Sequence, residues 1–264
     1  MSVAKNIRGT REWAVANIDC CTGCSHNCRY CYARYDAVVK NHSISAEKWP
    51  LPVIRHEDVR RIFPLFPGPV MFPTTHDILP EILDECITVL RGLLGAGNRV
   101  LVVSKPHLSC ITRICDEFKE YREKILFRFT IPARNNTILA FWEPGAPPYE
   151  ERLASLKKAK LRGYQTSVSI EPMLDGDTIA ALVEELSPHT THSIWIGKMN
   201  KISQRVDMQY PGMDKEIQRI RIGQKDQKII EIYNTLKGNP LVRWKESIKE
   251  IVGLELLHEA GLDK

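Results

Sequence analysis

Short apolar, β-branched runs alternate along this chain with longer stretches whose apolar residues recur at helical spacing. The strand-like runs are Ala14 to Ile18, Val70 to Thr74, Val100 to Ser104, Ile125 to Thr130, Thr166 to Ile170 and Ile194 to Gly197. Most are nearly continuous in apolar character, as strands buried on both faces are. The helix-like stretches are Glu81 to Leu94, Ser109 to Tyr121, Tyr149 to Arg162 and Thr178 to Leu186. In the first, Ile82, Cys86, Val89 and Leu93 share one face; Pro80 precedes it and Gly95, Gly97 and Asn98 end it. Strand–helix alternation predicts βαβ units and a parallel sheet. Six strands are too few for a closed eight-stranded barrel. The fold class predicted is therefore α/β, an open or partial parallel barrel over residues 1–200. Residues 201–264 read as an extension of two helices broken near Gly238, Asn239 and Pro240. Its Ile217, Ile220, Ile229, Ile232 and Leu236 imply packing on the core.

Composition changes this picture little. Of 264 residues, 43% are hydrophobic and 26% charged, as in ordinary globular proteins. No apolar run approaches the ~20 residues that span a bilayer. The start, MSVAKNIRGTREWAVANIDC, lacks the apolar centre of a secretory signal. A cytoplasmic location with reduced thiols and no membrane partner is the expectation. The net charge of +5 is dispersed; it permits an anionic or nucleic-acid partner without arguing for one.

The cysteines carry the chemistry. Five of the eight (Cys20, Cys21, Cys24, Cys28 and Cys31) fall in the segment CCTGCSHNCRYCYAR, residues 20–34. Cys86, Cys110 and Cys115 stand singly in helical patterns and read as small buried hydrophobes. Cys24, Cys28 and Cys31 form a Cys-x3-Cys-x2-Cys array after the first strand. Electron-carrying [4Fe–4S] clusters take four thiolates. Three leave one iron open, and an open position distinguishes catalytic from structural metal sites, by analogy with zinc. Zinc is the rival reading, with Cys20, Cys21 or His26 as fourth ligand, although the second ligand pair of a zinc knuckle is missing nearby. A non-catalytic electron carrier, with Cys20 or Cys21 completing four thiolates, is another. Cys20 and Cys21 are otherwise expected to line the cluster cavity.

The spacing, with aromatic Tyr30 before the last cysteine and Tyr32-Ala33-Arg34 after it, resembles the signature of the radical S-adenosylmethionine (SAM) superfamily. The string GCSHNCRYCYAR is similar to the branch containing spore photoproduct lyase and its bacterial and phage relatives. EPGAPPYEERL (143–153) and LVVSK (101–105) resemble further segments of that branch. The resemblance implies a partial (β/α)6 barrel and a [4Fe–4S] cluster on Cys24, Cys28 and Cys31. It also implies SAM as second cofactor and an external flavodoxin- or ferredoxin-like electron donor. The reaction implied is reductive cleavage of SAM, with the resulting radical acting on an unidentified substrate, nucleic acid among the candidates.

In parallel α/β sheets the reactive groups sit at the carboxyl ends of strands. That rule selects Thr74, Thr75 and Asp77 after the second strand, where the family's glycines are missing, and His76 as either acid–base or structural. It selects Ser104 and Lys105 after the third; the resemblance has the lysine pair with the methionine carboxylate. It further selects Thr130, Arg134 and Glu143 after the fourth, Ser169 and Glu171 at the fifth, and Lys198 and Asn200 after the sixth. A one-residue error of strand parity would turn any of these to the other face. Tyr164, Tyr210 and Tyr233 are available as hydrogen donors or as packing. Lys215, Arg219, Arg221, Lys225, Lys228, Arg243 and Lys245 form a basic but acid-interspersed tail, read as a solvated face.

Overall fold

The structure, a computed structural model, describes residues 6–264. Seven parallel strands form one sheet in the order in which they occur in the chain. They are β1 (Ala16–Asn17), β4 (Val70–Phe72), β5 (Val100–Ser104), β6 (Ile125–Thr130), β7 (Gln165–Ile170), β8 (Ser193–Ile196) and β9 (Val242–Trp244). A separate antiparallel pair, β2 (Cys21–Thr22) and β3 (Val53–Ile54), brackets the cysteine loop. The strand order confirms the open parallel barrel expected from the alternation, with one strand more. β9 belongs to the tail read as purely helical; three residues, Val-Arg-Trp, are too short to reveal a strand by periodicity. It pairs with β8, Ile194 opposite Val242. Among the described residues, no helix is long and apolar enough to cross a membrane.

Parity sorts the side chains. Val70, Phe72, Val100, Val102, Phe127 and Phe129 pack toward the helices in the main core. Leu83–Gly95 buries Leu83, Cys86, Ile87, Val89, Leu90, Leu93 and Leu94 in that same core, and removing one such leucine side chain costs roughly 2–5 kcal/mol. The alternate residues face inward. Met71, Leu101 and Trp195 join Trp13 and Ala14 in a second cluster, with Val103 and Leu126 packed against it. Arg128 lies fully buried on this inner face, its guanidinium 4.6 Å from the Trp13 ring. Residues 261–263 pack beneath it. Asp263 accepts from Arg128 and from Trp195 Nε1 at 2.9 Å, and Gly261 and Asp263 donate backbone bonds to Arg11 and Glu12.

Candidate active site

The cysteine array is shaped by backbone contacts on two sides. Above it, Cys24 N–H donates to Trp49 O at 2.9 Å. Gly23, at φ +93°, passes so close to the same carbonyl that a Cβ would meet it at 2.7 Å. Below it lies the stretch after β6. Arg29 N–H donates to Trp142 O at 2.9 Å and Gly145 N–H to His26 O at 3.1 Å. A Cβ on Gly145 would stand 2.1 Å from Ser25 O. The Tyr30 hydroxyl donates to Glu143, whose other oxygen is 2.6 Å from Arg152. The segment EPGAPPYEERL is thus a platform under the cysteine loop. Its Glu, Gly and Arg each have a contact that requires that residue type.

Cys24, Cys28 and Cys31 all line one cavity of about 690 Å³. Burial pushes all three thiols above their ordinary range, with the charge of Asp77 adding to the effect at Cys24. They therefore stand protonated in the free protein, and metal loading would release their protons. Three thiols on one loop are a donor set that fits a cluster with one iron left open. Tetrahedral zinc places neighbouring sulfurs about 3.8 Å apart. The described residues whose ligand atoms all come within 4.8 Å of each other are Cys24, His26 and Asp77, whereas the three cysteines do not form such a group.

Asp77 is the charge centre beside them. It accepts from His26 Nδ1 at 2.8 Å, Ser104 Oγ at 3.0 Å, the Lys105 amide at 2.7 Å and Lys105 Nζ at 3.3 Å. Burial alone would raise its pKa. The Lys105 charge and the bonds from His26 and the Lys105 amide outweigh burial and hold the carboxyl well below its usual range. Lys105 is buried too, and its carboxylate and cysteine neighbours keep it charged against that burial.

Of the residues selected from sequence, Tyr30, Thr74, Thr75, His76, Asp77, Lys105, Thr130, Ser169, Glu171, Lys198 and Asn200 line the cavity with the cysteines. The Thr74 and Thr75 amides both donate to Asp19 Oδ1 at 2.6 Å, and Thr74 Oγ1 is buried without a hydrogen-bond partner among the described residues. Three expectations are corrected. Ser104 shares the parity of Val100 and Val102, so it faces the helices and holds Asp77 from behind. Arg134 turns outward to Glu185 at 2.9 Å. Glu143 is buried by its ion pair with Arg152. Cys20 and Cys21 are also displaced from the cavity wall: Cys20 Sγ lies 3.7 Å from His76 Nε2 and 4.0 Å from Cys86 Sγ.

Sequence reasoning missed other wall residues: Arg8, Thr10, Arg11, Asn17, Asp19, Arg205, Lys245 and Glu246. Asp19 was accessible by rule, being just past the first strand. Lys245 and Glu246 follow β9, so recognising that strand would have pointed to them.

No family model matches the chain. A protein of Acidianus two-tailed virus, named uncharacterized protein ORF301, is 25% identical over 176 residues, 62% of this chain. That match spans 57% of the viral protein's length. Among solved structures, spore photoproduct lyase complexed with dinucleoside spore photoproduct superposes with a TM-score of 0.57 at 16% identity, covering 92% of this chain and 79% of the lyase. A point mutant of that enzyme gives 0.54 at 17% identity with the same coverage. The chain has the fold of spore photoproduct lyase.

Proposed function

We propose that this chain is a radical SAM enzyme in which Cys24, Cys28 and Cys31 hold a [4Fe–4S] cluster. The carrying observation is that the whole x3, x2 array opens into one cavity together with the Asp77–Lys105 pair, at the carboxyl ends of an open parallel barrel. A cluster held by Cys24, Cys28 and Cys31 would supply one-electron reduction of the sulfonium of bound SAM. The protein's part is placement. Lys105 offers a cation to the methionine carboxylate, and Asp77 keeps that cation in position. Thr74 offers an unpartnered hydroxyl on the same wall. Thr130 and Ser169, on the inner parity of β6 and β7, and Glu171, just past β7, are assigned to the nucleoside end.

A nucleic-acid substrate is the finer proposal. It is supported by the dinucleoside bound to the lyase and by Arg8, Arg11, Lys198 and Arg205 on the cavity wall. An external flavodoxin- or ferredoxin-like donor and a cytoplasmic setting complete this reading.

The test is anaerobic reconstitution followed by iron and sulfide analysis, electron paramagnetic resonance with and without SAM, and a 5′-deoxyadenosine assay. Four irons per chain, a spectrum altered by SAM, and loss of cluster and product in Cys31→Ala are expected. A zinc-only protein, or a cluster indifferent to SAM, would overturn the reading. Binding of DNA or RNA that weakens steeply with salt is expected for the finer proposal, and no binding at low salt removes it.

A further inference from the structure

The residue between the last two cysteines of the array is held from outside the cavity. Arg29 stands between Cys28 and Cys31. Its guanidinium carbon lies 3.4 Å from the centre of the Tyr210 ring and 4.5 Å from that of Phe141. Those two rings meet edge to face, their centres 5.9 Å apart at 84°. Arg29 Nη1 is buried and has no hydrogen-bond partner among the described residues. Aromatic surface, not an acceptor, therefore holds this end of the side chain. A guanidinium suits that setting, because it is planar and more weakly hydrated than an ammonium.

The two rings come from distant parts of the chain. Phe141 belongs to the helix Asn136–Trp142 after β6. Tyr210 belongs to the turn at residues 206–212, between the helices Ile202–Arg205 and Met213–Gly223 of the C-terminal extension. That turn is built locally. Asp207 O accepts from the Tyr210 amide at 3.3 Å, and Asp207 Oδ1 accepts from the Gln209 amide at 2.9 Å. Gly212, at φ +78°, brings the backbone so close that a Cβ would stand 3.8 Å from the Phe141 ring. The extension also reaches Trp142, whose Nε1 donates to Glu216 at 2.8 Å. Trp142 O in turn accepts the Arg29 amide. Backbone and side chain of Arg29 thus both end on groups that the extension touches.

We propose that Tyr210 is a positioning residue for the cysteine loop: its ring, with that of Phe141, clamps Arg29 and so holds Cys28 and Cys31 ready for a metal cluster. The positioning role rests on reading those cysteines as ligands; the clamp itself does not. A ligand loop works only if its donors are held by supporting contacts, and here the support comes from the C-terminal extension. The extension thereby serves the site twice, because Arg205, five residues before Tyr210, lines the cavity. The clamp uses the ring face of Tyr210 and not its hydroxyl, so of the two roles open to this tyrosine, hydrogen donor or packing, it takes the second.

Three variants of the full chain separate the ring from the hydroxyl: Tyr210→Ala, Tyr210→Phe and, as a control in the same turn, Met208→Ala. Tyr210 is 41% exposed and Met208 50%, so none of them empties the core. Phenylglyoxal, which attacks accessible guanidinium groups, is applied to the chain as purified, and modified arginines are mapped by mass spectrometry. Arg29 should react faster in Tyr210→Ala by roughly 2- to 30-fold, the range that loss of a cation–π contact spans. Tyr210→Phe and Met208→Ala should match the wild type. An unchanged rate in Tyr210→Ala, or a phenylalanine variant as fast as the alanine one, overturns the clamp. After anaerobic reconstitution, a chelator should strip iron faster from Tyr210→Ala than from the wild type or Tyr210→Phe. Equal retention in all three overturns the positioning role. The labelling needs no iron, so a chain that binds none defeats the radical SAM reading and leaves the clamp to be decided by labelling. A chain that loads four irons while its Arg29 reacts freely keeps that reading and loses the clamp.

Discussion

Lys105 grips Asp77 twice: its backbone amide donates to Oδ1 at 2.7 Å and its ammonium reaches Oδ2 at 3.3 Å. One residue thus fixes the carboxylate and carries the charge that holds it ionised. The strand end of β5 and the loop after β4 are locked together where they meet the cysteine loop.

Replacing Lys105 by Met should weaken SAM binding to the reconstituted protein. A charge-assisted hydrogen bond is worth about 1.5–3 kcal/mol, or roughly 10- to 100-fold in dissociation constant. Equilibrium binding on anaerobic protein checks this. Iron content should stay near the wild-type level, because Lys105 donates nothing to a thiolate. Wild-type affinity in the variant would remove Lys105 from the carboxylate site.

Gly145→Ala should disturb the cluster loop without touching a cysteine. Its Cβ would collide with the Ser25 carbonyl, which is backbone and cannot rotate away. The expected result is reduced iron per chain after reconstitution, with near-wild-type far-ultraviolet circular dichroism. Gly238→Ala, where a Cβ meets nothing within 4 Å, is the matched control. Equal iron loading in both would show that the platform does not shape the loop.

Asp263→Ala should destabilise the whole barrel. Arg128 is fully buried, and Asp263 is its ion-pair partner at 2.7 Å. Removing one member of a buried pair typically costs about 3–5 kcal/mol. Denaturant unfolding should show that loss. Arg128→Met combined with Asp263→Leu should recover much of it, because the uncompensated charge is gone. A double variant no better than the single would show that the lost stability does not come from the uncompensated Arg128 charge.

Stability should fall as pH rises from about 4.5 to about 8 through Glu12, whose pKa is raised from 4.5 to about 8 in the folded chain. Across that window the unfolded carboxyl has released its proton while the folded one retains it. The folded state therefore binds more protons, and unfolding becomes easier with rising pH. Glu12→Gln removes this slope. Thermal midpoints at half-unit pH steps, wild type against variant, should converge toward acid and differ most near pH 8. Parallel curves would mean that Glu12 ionises normally in the folded protein.

Much of this was legible in the chain. The spacing of Cys24, Cys28 and Cys31 identified the metal chemistry to consider, because ligands on one short loop need no distant partner to come together. The strand–helix alternation predicted the parallel sheet, because pattern and period are local properties. The rule of strand ends led to Asp77 and Lys105 for the same reason. It failed at Ser104, where one step of parity turned the hydroxyl toward the helices, and at Arg134 and Glu143, whose ion-pair partners Glu185 and Arg152 drew them off.

What the sequence by itself determined is the set of elements and the ligand array, both encoded within a few residues of one another. Only the tertiary structure decided what shares the cavity. It brought Lys245 to Glu12, 233 positions apart in the chain, and Asp263 to Arg128, 135 apart. It also added β9 to the sheet through its pairing with β8. A buried charge must find its counter-charge wherever the fold supplies one, and the packing of segments distant in the chain, not any local preference, determines where that is.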